Sequence, residues 1–153
     1  MSRIAIGTFV QFNEDSSKCY QNFFPGESRN YKGYTYNFGG FGYSGSTIDL
    51  EASNVTASLV WAVNALSLNL AKEAADKRWM VDIESVWLDP EKLTIDKSYM
   101  IDTFMCTGFE HDTLRLSIRL SSPLDAVNAD VPRRRLTEKL VGKLPSTGQI
   151  NLL

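Results

Sequence analysis

Residues 31–46 read YKGYTYNFGGFGYSGS, with six aromatic rings, five glycines and a single charge, Lys32. Three structures suit such a composition: a platform of stacking rings for nucleic acid or sugar, a low-complexity tract, or a bent strand and loop inside a packed fold. Platforms for single-stranded nucleic acid interleave rings with a basic groove, and here one lysine is followed by the acidic run TIDLE. Low-complexity disorder would not pass directly into strictly alternating strands. The stretch therefore predicts a hairpin turning at Lys32-Gly33, with Tyr31 on one arm and Tyr34–Phe38 on the other. Tyr34, Tyr36 and Phe38 lie two apart and would share one face. The glycines that follow predict a bend that re-aims the chain.

The flanking sequence extends this pattern. Arg3–Phe12 alternates like an opening strand, and Thr47–Ala52 resumes alternation with Ile48, Leu50 and Ala52 inward. Leu59, Ala62, Val63, Leu66 and Leu70 follow helical spacing, which predicts one helix capped by Ser53 or Asn54 and ending near Lys77. RWMVDIESVWL then places Trp79, Val81, Ile83, Ser85 and Trp87 on one strand face, with Asp82 and Glu84 on a solvated one. DPEKLTIDKS reads as turns. Tyr99–Phe109 and Thr113–Leu120 predict an antiparallel hairpin across Glu110–Asp112, with Leu114, Leu116, Ile118 and Leu120 inward.

From Pro123 onward the pattern lapses, with three prolines and few periodic positions. Thirty residues without periodicity are unusual in a compact domain, so this segment is expected to order against another surface. The fold class predicted is α+β: mainly antiparallel β-sheet, sandwich or barrel-like, with one central helix and an extended C-terminal arm. Residues 1–122 would form the globular domain and 123–153 the arm.

The chain has 153 residues, enough to bury about two-thirds of its unfolded surface in one domain. A hydrophobic fraction of 43% argues against global disorder, and a net charge of −2 gives no overall attraction to nucleic acid. The charge is unevenly spread. Thr56–Asp112 holds five basic and ten acidic residues, whereas Thr113–Leu153 holds seven and three. Such polarity suits copies that meet head to tail. MSRIAIGTFVQF lacks a charged leader, a long apolar core and a cleavage site, and no segment approaches the ~20 apolar residues that cross a bilayer. A soluble chain made in a cytoplasm is expected.

Chemistry is sparse. Cys19 and Cys106 read as separate buried thiols, and His111, in FEHDT, reads as a solvated turn residue rather than a metal ligand. HExxH, CxxC, GxSxG and GxxxxGK[ST] do not occur, and FGGFGYSG is followed by neither the lysine nor the helix of a phosphate loop. No metal, cofactor or catalytic residue is predicted. The candidate contact residues are exposed rings among Tyr31, Tyr34, Tyr36, Phe41 and Tyr43, together with Arg133, Arg134 and Arg135 meeting an acidic neighbour. The alternative is a carbohydrate-binding module using the rings of residues 31–43 with Trp79 or Trp87.

The order of features carries a resemblance. A first strand, then Y-x-G-x-x-Y with its aromatic–glycine segment, IDLEASNV, a helix, a long strand, and a hairpin followed by Asp130–Thr137 (DVPRRRLT) is similar to the N-terminal part of the lambda-type minor tail protein L family. It also resembles related small tail-tip proteins of long-tailed bacteriophages, over most of residues 5–137. The resemblance implies a non-enzymatic structural protein of the tail tip or baseplate hub, in a trimeric or hexameric ring joining the tail tube to the hub or receptor-binding fibre. Its partners would be itself and adjacent phage tail proteins, and its location the virion, after assembly in the host cytoplasm. The family's cysteine-rich C-terminal region, which resembles an iron–sulfur segment, has no counterpart here.

Overall fold

The structure is a computed structural model and describes residues 4–13, 15–48 and 55–123. The proposed arm, with Arg133, Arg134 and Arg135, lies outside the described residues, as do Asp49–Asn54. Ten strands and one helix follow in the order β1 Ala5–Phe12, β2 Cys19–Gln21, β3 Arg29–Tyr31, β4 Tyr34–Phe38, β5 Phe41–Tyr43, β6 Thr47–Ile48, β7 Val55–Ala62, α1 Ala65–Asp76, β8 Met80–Leu88, β9 Ile95–His111 and β10 Arg115–Ser121. The fold is α+β, an open and mainly antiparallel sheet in the order β3-β4-β2-β1-β8-β9-β10-β7-β5, with β6 also on β7. One pair, β2 with β4, is parallel.

β1 and β8 occupy the middle, and β1 is buried on both sides from Gly7 to Phe12. Along β1, Val10 and Phe12 point into one core with Val81, Ile83, Phe104 and Cys106, while Phe9 points into a second with Cys19, Tyr36, Val86 and Leu88. The sheet's flanks close these two cores. At one flank β7 and β5 turn over the first core, so that Trp61 meets Tyr20 edge-on at 5.2 Å and Tyr43 reaches Phe104 at 6.4 Å. The β3–β4 hairpin covers the second core from the other flank, with Tyr31 stacked on Phe9 at 4.5 Å. Cys19 and Cys106 are thus free thiols in different cores.

The hairpin at Lys32-Gly33 forms as its turn chemistry requires. Both residues have positive φ, 48° and 86°, the signature of a two-residue turn matched to strand twist. Tyr31 pairs with Tyr34 across it. The glycine bend is a β-bulge: Tyr43 pairs with Leu59 and Thr47 with Thr56, leaving one extra residue on the edge strand, where Gly45 sits at φ 77°.

Several expectations change. The helix starts ten residues later than predicted. Asn64, not Ser53 or Asn54, is the cap: its Oδ1 accepts from Ser67 N at 2.8 Å, and its own N–H donates to Ser67 Oγ at 3.0 Å. Val55–Ala62 is a strand, because Ala57, Leu59 and Trp61 alternate inward and β-branched Val55, Thr56 and Val60 favour extended backbone. Starting at Asn64 sets the buried helix face to Ser67, Leu70, Ala71 and Ala74, which turns Leu66 out to 82% exposure. Leu114 lies in the β9–β10 turn, held by Asp112 Oδ1 accepting from Leu114 N and Arg115 N, and is exposed rather than inward. Ile48 is likewise exposed, at the outer edge of the sheet. β9 begins at Ile95, inside the stretch read as turns.

Candidate functional site

The rings of residues 31–43 are mostly committed to the fold. Tyr36 and Phe41 are buried, Tyr36 against Phe9 and Phe41 against Trp61, so neither is the exposed contact that its sequence neighbourhood suggested. Tyr31 donates its hydroxyl hydrogen to Glu84 Oε1 at 2.8 Å, and Tyr43 donates to Asp102 Oδ2 at 3.1 Å. Burial first, then the neighbouring carboxylate, raises the pKa of each phenol. Tyr34 alone of the five is exposed, at 36%. Glu84 is also not on a solvated face: the hairpin lies over it, and Lys32 Nζ reaches its two oxygens at 2.8 and 3.0 Å. Burial pushes the Glu84 pKa up, but hydrogen bonds from Lys32, Ser98 and Tyr31 outweigh it and leave the group below the ordinary carboxylate range.

Two concave surfaces among the described residues carry aromatic rings of Phe, Tyr or Trp. The first is a cleft of about 430 Å³ between the start of α1 and the seam where β2 meets β7, with Tyr20, Phe38, Gly39, Trp61 and Leu66 on its walls. Gly39 lets the chain pass tightly over Trp61; a β-carbon there would stand 2.9 Å from the indole.

The second lies at the far end of the sheet, where β1 begins and β8 ends. Ile6 pairs with Trp87, and Ile4 lines a groove of about 470 Å³ with Trp87, Asp89, Asp96 and Lys97. Ile4, Ile6 and Tyr99 are 58%, 60% and 45% exposed, an apolar surface that no described element covers. Its shape comes from two irregularities in β9. Ser85 pairs with Met100 but Val86 with Ser98, and Trp87 pairs with Lys97 but Leu88 with Ile95. Tyr99 and Asp96 are therefore the extra residues of two β-bulges, which re-aim side chains out of the regular ladder. The Tyr99 ring sits 5.8 Å from Trp87, and Lys97 Nζ lies 4.3 Å over the indole. Trp87 was singled out in the sequence, and Asp96 only as one of many carboxylates; Tyr99 was not, because a bulge leaves no mark in strand alternation, and Ile4 and Ile6 were not, because their strand was read as a plain opening strand.

Trp79 fills the first core, with Lys18 Nζ 4.4 Å over its ring. His111 is exposed at the end of β9. Among the described residues no three His, Cys, Asp or Glu side chains stand together as a metal site, and no helix is long and apolar enough to cross a membrane. No family model matches the chain, and no curated protein matches it.

Proposed function

We propose that this chain is a non-enzymatic structural subunit of a bacteriophage tail tip or baseplate, forming a ring that connects the tail tube to the hub or receptor-binding fibre. The observation that carries the assembly role is the sheet end that no described residue covers, where Ile4, Ile6 and Tyr99 are exposed around Trp87. Contiguous apolar surface of this kind is typical of a face that another protein covers. The phage setting and the threefold or sixfold order rest on the family resemblance. Rings arise when one face meets a different face of the next copy and the rotation closes. The opposed charge balances of 56–112 and 113–153 fit such a head-to-tail contact.

Trp87 and Tyr99 also favour a second reading, a carbohydrate-binding surface, because two neighbouring rings beside carboxylates can stack a sugar. Light scattering on the purified full chain, negative-stain electron microscopy and a glycan array separate the two. Closed particles with a central channel and no glycan binding support the tail-ring reading. A monomer that binds glycans supports the other.

A further inference from the structure

Building on that reading, we propose that the sheet-end groove is the socket for residues 132–140 (PRRRLTEKL) of a neighbouring copy. Leu136 and Leu140 would lie against Ile6, Trp87 and Tyr99, and Arg133–Arg135 against Asp89 and Asp96.

Three observations choose this occupant. The groove sets Ile4, Trp87, Leu88 and Ile95 beside Asp89 and Asp96, with Lys97, whose ammonium is already seated on Trp87, as the cation among its lining residues. Among the described residues neither carboxylate has an ion-pair partner. Within 124–153, PRRRLTEKL alone combines consecutive arginines with flanking leucines, so its chemistry mirrors the groove in both charge and apolarity. The two bulges supply the third observation: successive irregularities in one strand bring Tyr99 and Asp96 to the same rim, which a plain antiparallel ladder would not do.

The chain's own arm is the competing occupant of the groove. The described chain ends just past Ser121, which pairs with Met105, whereas the groove lies at Ile95–Lys97, eight to ten positions further along β9. That separation is roughly 26–33 Å at strand spacing. Residues 124–136, which bring Leu136 to the groove, span about 45 Å when fully extended, long enough for the chain's own arm to reach; the proposed ring, in which one face meets a different face of the next copy, assigns the groove to a neighbour's arm instead.

Disulfide trapping tests this. Ile6→Cys and Leu136→Cys are made separately in the full chain and mixed under mild oxidation, with circular dichroism and native mass recorded for each. Cys19 and Cys106 are buried and give no background. The expected result is a cross-linked dimer in the mixture, several-fold above either variant alone, falling about tenfold when Asp89→Lys and Asp96→Lys are added to the Ile6→Cys chain. A loop closed within one chain of the double Ile6→Cys/Leu136→Cys variant, an Ile6→Cys homodimer as the main product, or insensitivity to the charge reversals would each overturn the proposal. Wild-type rings without the cross-link reject this socket and leave the tail-ring reading standing. A wild-type chain that is monomeric throughout rejects both.

Discussion

Tyr31 and Glu84, 53 residues apart, are joined by a 2.8 Å hydrogen bond that fixes the β3–β4 hairpin to the centre of the sheet. The ring of Tyr31 closes the second core over Phe9 while its hydroxyl meets the carboxylate, so one side chain serves both packing and electrostatics. Tyr31→Phe keeps the stack and loses the bond; chemical denaturation should show a loss of about 1 kcal/mol. The more exposed Lys32, changed to Met, should cost less, about 0.5 kcal/mol, because solvent screens its charge.

The same latch predicts a pH dependence. The Glu84 pKa is lowered in the folded state, so the unfolded chain binds its proton more readily. The latch's stabilisation is fully present above the ordinary value of 4.5 and declines as pH falls through the lower folded value. The gap in urea midpoint between wild type and Glu84→Gln should therefore be widest near neutrality and shrink on acidification. A gap that widens in acid would show the opposite shift.

Gln21 is fully buried and works entirely through backbone groups. Its Nε2 donates to Phe24 O at 2.8 Å and Glu27 O at 3.1 Å, and its Oε1 accepts from Phe23 N at 2.9 Å and Phe24 N at 2.7 Å. Gln21→Leu matches the volume and strands four backbone groups, so stability should fall by about 3 kcal/mol. A thermal melt that shifts by no more than a surface mutant's would show that another group takes over these bonds.

Gly39 and Gly40 are adjacent and should differ sharply. A methyl at Gly39 meets the buried Trp61 ring at 2.9 Å, whereas at Gly40 it meets nothing within 4 Å. Denaturation should show Gly39→Ala costing about 2 kcal/mol and Gly40→Ala staying within about 0.5 kcal/mol of wild type.

The thiols should be silent in the native state. Burial pushes the Cys106 pKa up to about 11, despite the opposing hydrogen bond with Gly108, and Cys19 is raised by burial and by Asp15. Ellman's reagent at mildly alkaline pH should find almost no thiol in native protein and both thiols in denaturant.

What the sequence disclosed follows from how local each determinant is. The Lys32-Gly33 turn and the β9–β10 hairpin were legible because glycine, aspartate and strict alternation act over a few residues. The start of α1 was not. Leu59, Ala62, Val63, Leu66 and Leu70 fit a helical period, yet Ala57, Leu59 and Trp61 fit a strand equally well, and tertiary pairing with β10 decides between them. Glu84 looked solvated because the hairpin that covers it comes from residues 31–32. Tyr36 and Phe41 looked like contact rings because ring density alone does not distinguish a core from a surface. The groove was hidden for a related reason: Tyr99 and Asp96 gain their direction only from the register against β8.

On the reading proposed above, the sheet end is a covered face in the assembled protein. Native mass spectrometry of the full chain beside Ile6→Glu, with circular dichroism to confirm that both fold, tests it most directly. The prediction is a closed oligomer for wild type and a folded monomer for the variant. A monomeric wild type, or a variant that assembles as well as wild type, would contradict it.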